Sequence, residues 1–132
     1  MSCLFDSLSY YIDASPDQLR QYIADYLEDN GDVIDGMDTR DVLAMDPDHG
    51  GGDAAAYIRK MRRSSTWGGA VEIQSASNIF KLIIRVHNIR DGRGEVIEFL
   101  PVDGKPVGVA EISWSGGHFT YIDQKQKKKR KH

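Results

Sequence analysis

The chain contains one cysteine, Cys3, at the start of a segment whose apolar residues recur every three or four positions. This spacing predicts an amphipathic helix over residues 2–12 with the thiol in its first turn. A thiolate is a strong nucleophile, and the partial positive charge at a helix N-terminus stabilises it. A cysteine on an apolar helix face is also a common core residue. Cys3 is therefore either a nucleophile or a small buried side chain.

A thiol nucleophile needs a base, and the four histidines of the chain each offer an imidazole. His118 follows Gly116 and Gly117 and opens the last predicted strand, where a rigid scaffold can hold a functional side chain. The other three are predicted in an acidic loop, at the end of a strand and in a basic tail (His49, His87 and His132). On these residues alone, Cys3 and His118 support only a weak hypothesis of a thiol hydrolase.

The elements that must position these residues follow one another in two blocks, helices first and strands afterwards. Helices are predicted over 2–12, 16–30, 41–45, 53–63 and 70–80, and strands over 82–87, 95–100, 109–114 and 118–122. Ser15 and Pro16 give the second helix a capping hydroxyl and a proline at its first position. This order predicts an α+β fold with a small, mostly antiparallel sheet packed against helices.

The composition bounds the class of protein. The 132 residues are 40% hydrophobic and 28% charged, which predicts one globular domain. No apolar run is long enough to span a membrane, and the N-terminal segment lacks the basic region and cleavage site of a signal peptide. One cysteine excludes an intramolecular disulfide and a cysteine-based zinc site, so we expect a reducing intracellular location.

Charge divides the chain into two parts. Residues 1–123, the predicted domain, carry eleven basic and twenty acidic residues, a net charge of −9, whereas residues 124–132 carry six basic residues and no acidic one. An acidic body repels phosphates, so we expect no nucleic acid to bind the folded body. The basic tail is predicted to be disordered. Its role stays open between a nuclear-localisation signal that binds an import receptor, an anchor to an acidic surface, and no role.

Three segments of the chain resemble the ovarian tumour (OTU) family of cysteine proteases, in the order that the family has them. The first is Ser2–Ser9, a cysteine, leucine and aromatic residue that lead into a helix. The second is Thr66–Ser77, in which a Trp-Gly-Gly turn opens a helix with a glutamate three residues on. The third is Gly117–Tyr121, a histidine followed by an aromatic residue. The resemblance covers residues 2–123, and the second segment is its most specific part.

The resemblance implies a papain-like OTU fold and hydrolysis of the isopeptide or peptide bond after the C-terminal glycine of ubiquitin, or of a ubiquitin-like modifier. Cys3 corresponds to the nucleophile, which forms a thioester, and His118 corresponds to the base. The backbone N–H groups of Ser2 and Cys3 correspond to the oxyanion hole. Trp67, Gly116 and Gly117 correspond to the channel for the substrate tail, although for Trp67 packing in the core is the favoured interpretation. Neither a metal nor an organic cofactor is implied.

Two departures from the family pattern bear on catalysis. The aspartate, glycine and asparagine that usually precede the cysteine have no counterpart in Met1 and Ser2. Either the true start lies upstream, or this is a minimal member that builds the oxyanion hole from the amides of Ser2 and Cys3. Thr120 occupies the position at which many members carry an aspartate or asparagine that orients the histidine, and Asn78 is a candidate substitute. Three functions stay open: a deubiquitinating protease of the cytoplasm or nucleus, a catalytically weak or inactive ubiquitin-binding module of the same fold, and a protease that processes its own polyprotein.

Overall fold

The structure is a computed structural model that describes residues 3–47, 51–63, 66, 68–90, 94–116 and 118–122, with Cys3 described through its backbone. In these residues five helices precede four strands: α1 Cys3–Ser9, α2 Pro16–Glu28, α3 Thr39–Ala44, α4 Ala54–Met61, α5 Ala70–Phe80, β1 Leu82–Asn88, β2 Glu95–Phe99, β3 Gly108–Trp114 and β4 Phe119–Tyr121. The predicted α+β class is confirmed. Within the described ranges, no helix is both long and apolar enough to cross a membrane.

Local sequence explains where the helices begin. The hydroxyl of Ser15 accepts the N–H of Gln18, and the Gln18 side chain accepts the N–H of Ser15, so a capping box starts α2 at Pro16. The carboxylates of Asp38 and Asp53 cap α3 and α4 by accepting the backbone N–H of Arg40 and of Ala55, without a reciprocal side-chain bond. Helix α1 is shorter than predicted, because the chain turns after Ser9 before it enters the α2 cap.

The sheet has the strand order β2-β1-β3-β4. Strand β1 pairs antiparallel with β2, and β3 pairs antiparallel with β4, which confirms the mostly antiparallel sheet. Strands β1 and β3 are parallel. Residues 100–107 connect β2 to β3 and pass the end at which β1 begins, where the Val107 N–H donates to the Lys81 carbonyl oxygen. Because this connection returns the chain to the starting end of β1, β3 runs parallel to β1.

Two contacts fix α1 within the helical layer and against the sheet. The buried guanidinium of Arg20 lies 4.3 Å from the ring centroid of Phe5 and donates a hydrogen bond of 2.8 Å to the carbonyl oxygen of Met61. Burial lowers the pKa of Arg20 from its ordinary value. On the other side, the Tyr10 ring stacks on the ring of Tyr121 at 4.0 Å. Helix α1 therefore packs between α2 and β4.

Candidate active site

Cys3 is the first residue of α1, and the two residues that follow it are fully buried. A Cβ atom at Gly68 would lie 2.8 Å from Leu4 Cδ2 and 3.2 Å from the Phe5 ring, so any other residue there would have to displace these two side chains. The segment after Trp67 therefore touches the first turn of the helix that Cys3 begins. Ser2 and Trp67, predicted for the oxyanion hole and the channel, lie outside the described residues.

His118 precedes β4 and is exposed. Its carbonyl oxygen accepts the N–H of Ser115 at 3.0 Å, which closes the turn between β3 and β4. Gly116 lies in this turn with a φ of +92°, a left-handed conformation that favours glycine. Because β4 packs against α1, the fold brings the elements that carry Cys3 and His118 side by side. Gly117, predicted beside the histidine, lies outside the described residues.

An apolar groove of about 370 Å³ runs between the start of α5 and the sheet. Gly68, Gly69 and Ala70 form its helical wall, and the sheet side presents Val86, Asn88, Ile97, Phe99, Trp114 and Phe119. Trp114 and Phe119 lie on the two sides of the turn that carries His118. Phe119 was noted only as the aromatic residue of the third segment, and Trp114 was not predicted as a site residue. The alternation of side chains along a strand could have indicated them, because Trp114 and Phe119 are paired across β3 and β4 and therefore lie on the same face of the sheet.

Glu72 is almost completely buried at the start of α5, with 1% of its surface exposed. One carboxylate oxygen accepts the Gly69 N–H at 2.7 Å, and the other accepts the Tyr57 hydroxyl at 2.6 Å. Burial raises the pKa of Glu72 to about 7, an effect that these two hydrogen bonds oppose. Burial also raises the pKa of Tyr57. The carboxylate therefore joins α4 to the backbone of the turn that opens α5.

The amide of Asn78, a candidate for orienting His118, is hydrogen-bonded to four groups of the described residues. Its amide nitrogen donates to the Tyr26 hydroxyl at 3.1 Å and to the Asp32 carbonyl oxygen at 2.6 Å. Its amide oxygen accepts the N–H of Val102 at 3.0 Å and an N–H of the Gln74 side chain. These partners lie on α2, on α5 and on the segments that follow α2 and β2, so the amide of Asn78 joins these parts of the fold.

The remaining polar candidates lie on the sheet. Thr120 is exposed on β4 opposite Ser113, two residues after His118. His87 lies on β1, and its Nε2 is 3.0 Å from a carboxylate oxygen of the buried Glu111. His49 and His132 lie outside the described residues. In the part of the chain that the structure describes, no group of three or more His, Cys, Asp and Glu side chains could hold a metal ion.

A family model described as OTU-like cysteine protease matches residues 2–108 of the chain. The chain belongs to this OTU family. The matched residues include Cys3 and the Trp-Gly-Gly segment and end before His118. None of the curated proteins compared with the chain matches it significantly.

Solved OTU structures share the fold of this OTU domain. An OTU domain in complex with ubiquitin superposes with a TM-score of 0.70 at 22% identity, over 91% of this chain and 62% of that one. The viral OTU domain protease from Qalyub virus superposes with a TM-score of 0.61 at 20% identity, over 92% of this chain and 78% of that one. A ubiquitin-bound OTU deubiquitinase from Wolbachia pipientis wMel superposes with a TM-score of 0.60 at 17% identity, over 94% of this chain and 91% of that one. The chain thus spans about three fifths of the first of these proteins.

Proposed function

We propose that this OTU domain is a deubiquitinase that hydrolyses the bond after the C-terminal glycine of ubiquitin, with Cys3 as nucleophile and His118 as base. The main support is the position of α1, which begins at Cys3, contacts Gly68 through Leu4 and Phe5, and packs against the strand that follows His118. Family membership supplies the class of chemistry. Two of the similar structures contain ubiquitin, which supports the choice of substrate.

The chemistry proceeds in two steps that return the enzyme unchanged. The Cys3 thiolate attacks the carbonyl carbon of the last glycine, and backbone N–H groups of Ser2 and Cys3 stabilise the oxyanion that forms. Protonated His118 transfers its proton to the leaving lysine amine, so the C–N bond breaks and a thioester remains. Neutral His118 then takes one proton from the water that attacks the thioester, and the C–S bond breaks to release the ubiquitin carboxylate and the Cys3 thiolate. The second proton of the water passes to solvent, so the thiolate and the protonated His118 are both restored. The resemblance implies no metal or organic cofactor for either step.

The apolar groove is our candidate for binding the substrate tail. Ubiquitin's two terminal glycines carry no side chains, so a narrow passage excludes most other C-termini. Gly68 and Gly69 provide one wall of that passage, and Trp114 and Phe119 provide the wall nearest His118. Gly116 and Gly117 allow the backbone to approach beside His118. We keep Trp67 as a channel residue in this proposal.

The body of ubiquitin is proposed to contact the acidic side of the domain. Residues 25–53 carry ten of the twenty acidic residues of the chain. The same stretch exposes apolar side chains at Ile34, Met37 and Met45. A surface of this composition complements a partner that presents a basic rim around an apolar centre. A solvated loop without a partner is the competing interpretation, and charge reversal at Asp35 and Asp41 separates the two by its effect on KM.

The decisive experiment is labelling with ubiquitin that carries a thiol-reactive electrophile at its C-terminus. We expect a mass increase of one ubiquitin for the wild type, none for Cys3→Ser, and strongly slowed labelling for His118→Ala. His87→Gln is the matched histidine control and labels like the wild type, because its amide can still donate to Glu111. Binding of ubiquitin without labelling would overturn the proposal in favour of a non-catalytic ubiquitin-binding module.

Substrate range and location complete the proposal. Di-ubiquitins of each linkage, together with probes built on ubiquitin-like modifiers, define which conjugates are cleaved.

We assign the protein to the cytoplasm and nucleus, with residues 124–132 as the segment that binds an import receptor or an acidic surface. A fluorescent fusion that loses nuclear signal when the six basic residues of the tail become alanine supports this assignment, and an unchanged distribution contradicts it.

A further inference from the structure

Glu72 is a buried acid that takes no part in the chemistry proposed above, although it lies at the edge of the groove. We propose that Glu72 is a positioning residue for this active site, which holds the Gly68–Gly69 backbone in the place where it shapes the groove and supports the first turn of α1. The inference rests on the proposed function for its effect on turnover. Its effect on the reactivity of Cys3 can be measured without ubiquitin.

The first link runs from Glu72 to the backbone of Gly69. The carboxylate accepts the Gly69 N–H at 2.7 Å and is itself held by the Tyr57 hydroxyl at 2.6 Å. Because α4 supplies Tyr57, the turn before α5 is fixed to a second helix rather than to its own helix alone.

The second link runs from Gly68 to α1. Gly68 precedes Gly69 directly, and its Cα faces Leu4 and Phe5, the two residues after Cys3. Phe5 is in turn covered by the guanidinium of Arg20. A shift of Gly69 therefore moves Gly68 against the first turn of α1, and it moves the groove wall that both glycines line.

The same capping geometry elsewhere in the chain shows what is special at Glu72. Gln18 occupies the equivalent third position of α2 and accepts the N–H of Ser15 at 2.9 Å. Gln18 is exposed and does not line the groove. Glu72 is buried, with Tyr57 of α4, Asp46 after α3 and Arg20 of α2 as its charged or titratable neighbours. Gln18 therefore provides a control for the loss of a cap alone.

The test compares Glu72→Ala, Glu72→Gln and Gln18→Ala. Hydrolysis of a fluorogenic amide at the ubiquitin C-terminus gives kcat and KM, and alkylation by iodoacetamide gives the reactivity of Cys3. For Glu72→Ala we expect KM to rise about tenfold or more and alkylation of Cys3 to change severalfold, since small misplacements in an active site have large kinetic effects. Glu72→Gln stays within about threefold of the wild type, because its amide oxygen still accepts the Gly69 N–H. Gln18→Ala lowers stability but keeps both kinetic values.

Equal kinetic behaviour of Glu72→Ala and Gln18→Ala would overturn the positioning role. If Glu72→Ala does not fold, Tyr57→Phe takes its place, and we expect smaller shifts in the same direction; unchanged kinetics there also contradict the proposal. If the wild type does not react with ubiquitin, the proposed function is refuted, but the positioning role of Glu72 is not. Faster hydrogen exchange at the Gly69, Leu4 and Phe5 amides in Glu72→Ala than in Gln18→Ala then still supports the positioning role, and equal exchange refutes it.

Discussion

The hydroxyl of Tyr11 donates a hydrogen bond to the backbone carbonyl oxygen of Ile122. The same hydroxyl lies 3.1 Å from the carbonyl oxygen of Glu111. One side chain therefore ties the segment after α1 to both β3 and the end of β4. Since Cys3 begins α1 and His118 precedes β4, this contact sets the separation of the two elements on which the proposed chemistry depends.

Removal of the Tyr11 hydroxyl should weaken both stability and activity. We expect Tyr11→Phe to lower the free energy of unfolding by about 1–2 kcal/mol, because two partly buried carbonyl oxygens lose a shared donor. Urea denaturation measures this change, and labelling by the ubiquitin probe should slow in parallel. Tyr22→Phe is the control, since Tyr22 lies exposed on α2. Equal effects of the two substitutions would refute the assigned role of Tyr11.

Gly68 and Gly69 offer a matched pair of alanine substitutions. At Gly68 a Cβ would clash with Leu4 and Phe5, whereas at Gly69 no atom of the described residues lies within 4 Å of a Cβ. We expect Gly68→Ala to lower the free energy of unfolding by about 1–3 kcal/mol through overpacking. Gly69→Ala should lower it by less than about 1 kcal/mol, the loss typical of a poorer helix cap. Thermal unfolding of both variants decides whether the contact is as close as described.

The buried Glu72 makes stability depend on pH in a defined direction. Burial raises its pKa from 4.5 to about 7, so the folded state binds a proton more tightly than the unfolded state does. Its contribution is fully present below the unfolded pKa of 4.5 and is lost as the pH rises through about 7. The shift corresponds to about 3 kcal/mol.

Glu72→Gln isolates this contribution, because the amide does not titrate. We expect the free energy of unfolding of the wild type to fall relative to that of Glu72→Gln between about pH 5 and about pH 8. Guanidinium denaturation at a series of pH values measures the difference. A difference that stays constant with pH would show that Glu72 has its ordinary pKa in the folded protein.

Thr120 should limit the rate if its hydroxyl is the group that orients His118. Thr120→Asp introduces a carboxylate that stabilises an imidazolium better than a hydroxyl does, so we expect kcat to rise severalfold. Thr120→Val, which has nearly the same shape, should lower kcat without changing stability. Steady-state hydrolysis of a fluorogenic ubiquitin amide tests both. An unchanged kcat in both variants would assign the orientation of His118 to another group.

The helices could be predicted wherever the residues that determine their ends lie within a few positions of one another in the sequence. The start of α2 followed from Ser15 and Pro16, and α5 begins and ends where the apolar spacing placed it. The parallel pairing of β1 with β3 could not be predicted in the same way, because it depends on the path of residues 100–107 around the sheet. No local pattern encodes that path.

The candidate site was predictable in part for the same reason. Cys3, His118 and the Trp-Gly-Gly segment stand out by residue type and order, and the structure brings the described parts of those segments together. The hydrogen bonds of the Asn78 amide could not be predicted, because three of its four partners, Tyr26, Asp32 and Val102, are distant in sequence. The double contact of Glu72 with Gly69 and Tyr57 was hidden because only one of those partners is local.

The packing of α1 against β4 has a consequence for the nascent chain during its synthesis. These are the first and the last of the described elements, so a ribosome releases the helix long before it releases the strand. Until then the helix has an apolar face without its β-strand partner, and the proposed thiol has no imidazole beside it. The domain is thus expected to gain the proposed proteolytic activity only after synthesis of the sheet is complete.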